Sequence, residues 1–179
     1  MKAVNVAVVG ATGAVGEAMI EILESRDFPV DQLFPLASSR SVGKSLQFKG
    51  KRHTVQDLSN FDFSQTPVAL FSAGGDVSAE YAPIAAQQGC VVIDNTSHFR
   101  RDEDIPLVIP EVNPEAIGQF RQRNIIANPN CSTIGMLMAL KPIYDVAGIE
   151  RINVATYQAV SGTGKNAIKE LAGQTASLL

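Results

Sequence analysis

Residues 3 to 16 read AVNVAVVGATGAVG, an apolar run that breaks at Gly10 and resumes after Gly13 as AVGEAMIEILESR, with Met19, Ile20, Ile22 and Leu23 on one helical face. The stretch predicts a strand, a tight turn and a helix. Its glycines at 10, 13 and 16 form a G-x-x-G-x-x-G variant of the fingerprint with which such a turn holds a dinucleotide. Glycine permits the turn and a close approach of the pyrophosphate, and the amides that open the helix bind that anion. Gly10, Thr12, Gly13, Ala14, Val15 and Gly16 are therefore the first candidate cofactor residues. Taken alone, the pattern has a second and less favoured reading as a compact turn.

Working outward, LFPLAS (33–38), VALFSA (68–73) and CVVIDN (90–95) read as further strands, with a helix near VSAEYAPIAAQQ (77–88) and short β-like pieces around SLQFKG and RHTVQ. The alternation predicts an α/β fold, Rossmann-like, with a mostly parallel sheet covered on both faces and ligands at the carboxyl ends of its strands. Proline-rich turns at Pro106, Pro110 and Pro114 precede NIIAN (124–128) and a helix from Thr133 to Ala147. RINVATYQAV (151–160) reads as a long strand and GKNAIKELAGQTASLL (164–179) as a helix. A lone strand and helix cannot bury both faces, so the expectation is a nucleotide-binding domain over 1–130 and the beginning of an α+β catalytic and dimerisation domain over 131–179.

The 179 residues carry 45% hydrophobic and 18% charged residues and a net charge of −3, which excludes disorder and argues against nucleic acid as a partner. No apolar run is long enough to span a bilayer, and residues 3–16 lack a signal-peptide cleavage pattern. Cys90 and Cys131, the two cysteines, make no disulfide framework and no C-x-x-C metal spacing, so no metal site is expected and a cytoplasmic setting fits.

At the end of the second strand, where an NAD enzyme commonly carries an acid for the ribose 2′-hydroxyl, stand Ser38, Ser39, Arg40 and Ser41. A guanidinium with hydroxyls suits a 2′-phosphate, so Ser38, Arg40 and Ser41 favour NADP, although a solvated basic loop has the same composition. Ser72, Ala73 and Gly74, in FSAGGD, would leave the backbone open beside the same cofactor or form an ordinary turn. SGTGK (161–165) resembles the end of a P-loop but fails it: Ala159 stands where the first glycine is required and Asn166 follows Lys165.

In ANPNCSTIG (127–135), Cys131 stands at or just before a helix N-terminus, where dipole and amides favour thiolate, in a polar frame that argues against a core role. Cys90, inside an apolar strand, reads as core. Together GATGAVG, SSRSVGKS, DNTSHFR, VIPEVN, NPNCSTI and YQAVSGTG resemble the aspartate-β-semialdehyde dehydrogenase family along the whole chain. The resemblance implies NADPH-dependent reductive dephosphorylation of L-aspartyl-β-phosphate, in lysine, threonine and methionine biosynthesis, with Cys131 as the nucleophile that forms an acyl-thioester. It further implies that Arg100 binds the acyl phosphate, Asn130 frames the thioester oxygen or phosphate, Gln158 orients the substrate, and Ser161 and Gly162 lie against the nicotinamide. Each of these also has an ordinary reading: surface arginine, turn residue, hydrogen-bond cap, loop.

The resemblance also places the family's general-base histidine, a substrate-carboxylate arginine and a phosphate-binding lysine beyond residue 179. His53 reads as a surface residue, and His98 matches no catalytic position. The expectation is thus an amino-terminal half that is inactive alone and belongs to a homodimer acting on a small molecule, aspartyl phosphate with inorganic phosphate as its co-product. Two other readings stay open: a non-catalytic NADP-binding module of the same fold, and a relative acting on N-acetylglutamyl phosphate, whose family typically has a small residue and glycine before its cysteine instead of NPN.

Overall fold

The computed structural model describes residues 2–178. Strand β1 (Val4–Val9) leads through the glycine turn into α1 (Ala14–Ser25) and β2 (Val30–Ala37). A hairpin of β3 (Ser45–Phe48) and β4 (Lys51–Thr54) follows, then the two-residue β5 (Gln56–Asp57). The chain then re-enters the sheet as β6 (Val68–Phe71), α2 (Gly75–Gln87), β7 (Val91–Asp94) and, after a long irregular segment, β8 (Ile125–Ala127). Helices α3 (Cys131–Ala147) and α4 (Lys165–Ser177) complete the described chain.

The sheet has six strands in the order β5-β2-β1-β6-β7-β8, and every neighbouring pair is parallel. The chain steps outward from β1 to β2 and β5, returns to the centre at β6, and steps out the other way. The order therefore reverses between β1 and β6, and the crevice beyond their carboxyl ends is the switch point where open α/β sheets bind ligands.

Alternation along β1 divides the core between the two faces of the sheet. Ala7 and Val9 pack with Ala82, Ala85 and Ala86 of α2, whereas Val6 and Val8 pack with Ile20 of α1 and Phe48 of the hairpin. The hairpin is tied to α1 by the Lys49 amide, which donates to Glu24 Oε1 at 2.9 Å.

The tail departs from its expected form. Residues 151–159 join no sheet, and a 3-10 turn (Val160–Thr163) follows them. A β-branched run becomes a strand only with a partner for its amides and carbonyls, and among the described residues this one has none; Tyr157 and Val154 lie exposed. Helices α3 and α4 bury no residue, and the apolar side chains of Ile143, Tyr144 and Val146 face outward.

Candidate active site

The switch point is shaped by two backbones in contact. Gly10 has φ +87°, and a Cβ there would stand 3.0 Å from the Ala73 Cα and amide nitrogen and from the Ser72 carbonyl carbon. The Ser72 amide and hydroxyl both donate to the Val9 carbonyl, at 2.9 and 3.1 Å, which locks the β6–α2 loop onto the end of β1. Gly16 lies behind the turn: a Cβ on it would meet the Gly10 carbonyl oxygen and come within 2.8 Å of the Gly10 carbonyl carbon. It lets α1 press against the turn and does not itself face the crevice.

The resulting crevice has a volume of about 930 Å³, near the upper end of small-molecule sites. Gly10, Thr12, Gly13, Ala14 and Val15 form one wall, Ser38, Arg40 and Ser41 a second, and Ser72, Ala73 and Gly74 a third. Thr12 Oγ1 donates to Ser41 Oγ at 3.4 Å across the first two. Gly162 closes the crevice from the far end of the chain, while Ser161 stays outside the lining.

Three charged residues of the lining escape a reading of the sequence. Lys44 follows Arg40 in the same loop. Asp57 comes from β5, which pairs in register with the end of β2 (Ala37 beside Asp57), so an acid does stand near the strand end that carries Ser38 and Arg40. Its Oδ1 accepts hydrogen bonds from the Ser59 amide and hydroxyl, at 3.0 and 2.8 Å. Lys165, at the start of α4, is the third. A two-residue strand has no periodicity to detect, and Lys165 reaches the crevice only through the tertiary fold.

Cys131 is the first residue of α3 and is exposed. Asn130 caps the helix, its Oδ1 accepting from the amides of Ser132 (3.0 Å) and Thr133 (3.4 Å). Gln158 comes to the sulfur from the irregular 151–159 segment, and its Nε2 donates to Cys131 Sγ at 3.4 Å. A Cβ on Gly162 would stand 3.2 Å from that same Nε2, so one residue touches both the crevice and the amide that holds the sulfur.

Arg100 is fixed by backbone: Nε donates to the Asn128 carbonyl at 2.9 Å and Nη2 to the Asn95 carbonyl at 3.1 Å. Asn128 precedes Cys131 by three residues, so the guanidinium is anchored to the strand end that delivers the cysteine. Beneath it Asp94, fully buried, accepts from Ser78 Oγ (2.8 Å), the Thr96 amide (3.1 Å) and Thr96 Oγ1 (2.8 Å), which holds the turn leading to Arg100 in one conformation. His98 is exposed and edge-on to Phe99, and His53 is half-buried against Phe48 in the hairpin. Neither hydrogen-bonds to the sulfur.

Together these features define a Rossmann-like nucleotide-binding fold with a cysteine linked to its crevice through Gln158 and Gly162. The chain belongs to the semialdehyde dehydrogenase family: a family model described as "Semialdehyde dehydrogenase, NAD binding domain" matches residues 5–120, and one described as "Semialdehyde dehydrogenase, dimerisation domain" matches residues 140–179. Aspartate-semialdehyde dehydrogenase 2 of Vibrio cholerae is 71% identical over 175 residues, which cover 98% of this chain and 52% of that protein. The crystal structure of Vibrio cholerae aspartate semialdehyde dehydrogenase II complexed with ASA superposes with a TM-score of 0.96 at 68% identity, over 99% of this chain and 53% of the other. That of the Candida albicans enzyme with NADP gives 0.72 at 29% identity, over 83% and 48%. The chain thus spans about half the length of the relatives it matches. Among the described residues no helix is long and apolar enough to cross a membrane.

The two thiols are set apart by their surroundings. Cys90 is fully buried, and desolvation, opposed by the hydrogen bond from Thr66 Oγ1, pushes its pKa up to about 11. Iodoacetamide at pH 7 should therefore alkylate Cys131 and spare Cys90 until the chain is unfolded, as read by mass-spectrometric peptide mapping. Labelling of Cys90 ahead of Cys131 in the folded protein would contradict the assignment.

Proposed function

We propose that this chain carries the nucleotide site and the nucleophile of an NADP-dependent aspartate-semialdehyde dehydrogenase, which converts L-aspartyl-β-phosphate to L-aspartate β-semialdehyde and phosphate in lysine, threonine and methionine biosynthesis. The observation that carries the reading is the Gln158–Cys131 contact at 3.4 Å, joined through Gly162 to the glycine-lined crevice. On this reading residues 1–130 are the nucleotide-binding unit and residues 131–179 the opening of the catalytic and dimerisation unit of a cytoplasmic homodimer.

The crevice fits a dinucleotide. Gly10 lets the β6–α2 loop close against the end of β1, and Gly13, Ala14 and Val15, which open α1, line the crevice with the amide end of that helix. Arg40 and Lys44 supply two cations on the wall where a 2′-phosphate would rest, against one carboxylate, Asp57, whose Oδ1 is already engaged by Ser59. That balance favours NADP over NAD.

In the reaction, Cys131 Sγ attacks the acyl carbon, the carbon–oxygen bond to phosphate breaks, and its electron pair leaves with the phosphate. Gln158 holds the sulfur in place by donating to it. Arg100, with Nε and one Nη2 proton committed to carbonyls, keeps its remaining N–H groups for the departing phosphate. Asn130 has spent its Oδ1 on the helix cap, so its side-chain NH₂ is the part left to donate to the thioester oxygen. NADPH, when bound, supplies the two electrons and the hydrogen that take the thioester to the aldehyde. Gln158 is neutral and moves no proton, and neither His53 nor His98 hydrogen-bonds to the sulfur, so the 179-residue chain alone is read as inactive.

Titration with NADPH and NADH should show tighter binding of NADPH, and Arg40→Ala should weaken NADPH alone by about 1.5–3 kcal/mol. Equal affinities, or a preference unchanged by the substitution, would contradict the cofactor assignment. In the protein with its complete catalytic domain, Arg100→Lys should raise the KM for phosphate in the reverse direction about tenfold while leaving NADP affinity alone, because lysine keeps the charge and loses the fork. An unchanged KM, with the loss appearing instead in Arg101→Lys, would place the phosphate on the neighbouring arginine.

A further inference from the structure

The failed P-loop ending SGTGK nevertheless delivers a lysine to a phosphate cradle, by a route its sequence does not show. From the first residue of α4, Lys165 Nζ donates to the Thr12 carbonyl at 2.9 Å and to Glu17 Oε1 at 2.6 Å, across 153 and 148 residues of chain. Both acceptors belong to the glycine turn and the first turn of α1, and both Lys165 and Thr12 line the crevice.

Glu17 creates an electrostatic problem that this lysine resolves. A carboxylate in the first helical turn suits the helix dipole as long as no other anion is present. Once a pyrophosphate seats at the same helix end, the carboxylate becomes a like charge beside it, at a half-exposed position where water screens only part of the repulsion. The Thr12 carbonyl, a negative dipole end in the turn itself, acts in the same direction.

We propose that Lys165 is a nucleotide-site residue: by neutralising Glu17 and engaging the Thr12 carbonyl, it makes the opening of α1 acceptable to a diphosphate. The inference rests on the nucleotide reading of the crevice given above. It adds the opening of α4 to the nucleotide site, in the same segment that brings Gln158 to Cys131. Bound nucleotide and held sulfur then share one stretch of chain, 158–165, with a hydrogen bond at each end.

The test is a calorimetric titration of NADPH into the unsubstituted protein, Lys165→Met, Lys165→Arg, Glu17→Gln and the double variant Glu17→Gln/Lys165→Met, at one ionic strength. Lys165→Met should bind about three- to tenfold more weakly, in line with one partly screened charge, and Lys165→Arg should stay within about twofold. Glu17→Gln should bind as tightly as the unsubstituted protein or tighter, and the double variant should recover to within about twofold of it. A merely structural lysine would not be rescued by removing its partner. Undiminished binding by Lys165→Met, or a double variant as weak as Lys165→Met, would overturn the inference while leaving the nucleotide reading standing. Should Lys165→Met fail to fold, weaker binding by Glu17→Gln would overturn it. Absence of NADPH binding by the unsubstituted protein would remove the nucleotide reading and this inference with it.

Discussion

Two side chains that are not there hold the molecule in its working shape. At Gly10 the end of β1 touches the β6–α2 loop with no room for a Cβ, and at Gly16 helix α1 touches the turn that precedes it. The first contact brings the two central strand ends together at the point where strand order reverses; the second aims the amide end of α1 into the gap. A Cβ at Gly16 would have to displace backbone, since its neighbours there are main-chain atoms of Gly10 and Ala11, and backbone does not swing aside as a side-chain end does. The crevice, its polar walls and its fit to an anionic ligand all follow from this close approach.

The sulfur depends on the same sheet by another path. β7 and β8 end beside one another, and the Asn128 amide donates to the Asp94 carbonyl at 2.8 Å. From that junction Asp94 organises the turn that carries Arg100, and Asn128 leads in three residues to Cys131 and its helix cap. A nucleotide crevice at the centre of the sheet and a thiol and guanidinium at its edge are thus set by adjacent carboxyl ends of parallel strands. The 158–165 segment spans the gap between them.

Local signals were legible in the sequence. The glycine spacing gave strand, turn and helix because each step has its own local chemistry: β-branched residues, positive φ, an apolar helical face. Cys131 could be placed at a helix start because the apolar run STIGMLMALKPI follows it directly. Arg40 with its serines could be placed at the end of β2 because the strand pattern ends there. What escaped depends on partners distant in the chain. The run 151–160 has the composition of a strand, yet composition supplies no neighbour to bond to. Asp57 arrives beside Arg40 by a two-residue pairing, and Lys165 reaches Thr12 across most of the chain. Gly16 belongs to the fingerprint by spacing, and a Cβ there would meet the backbone of Gly10 and Ala11, a contact that spacing alone does not show.

The central claim, that Cys131 is the nucleophile that takes the acyl group from an acyl phosphate, is tested most directly by trapping. The protein with its complete catalytic domain, mixed with L-aspartyl-β-phosphate in the absence of NADPH and quenched in acid, should gain the mass of one aspartyl group, on the peptide containing Cys131, and lose it to neutral hydroxylamine as a thioester does. Retention of the mass gain after Cys131→Ser at a residue other than 131, or no gain at all while phosphate is released, would contradict the account.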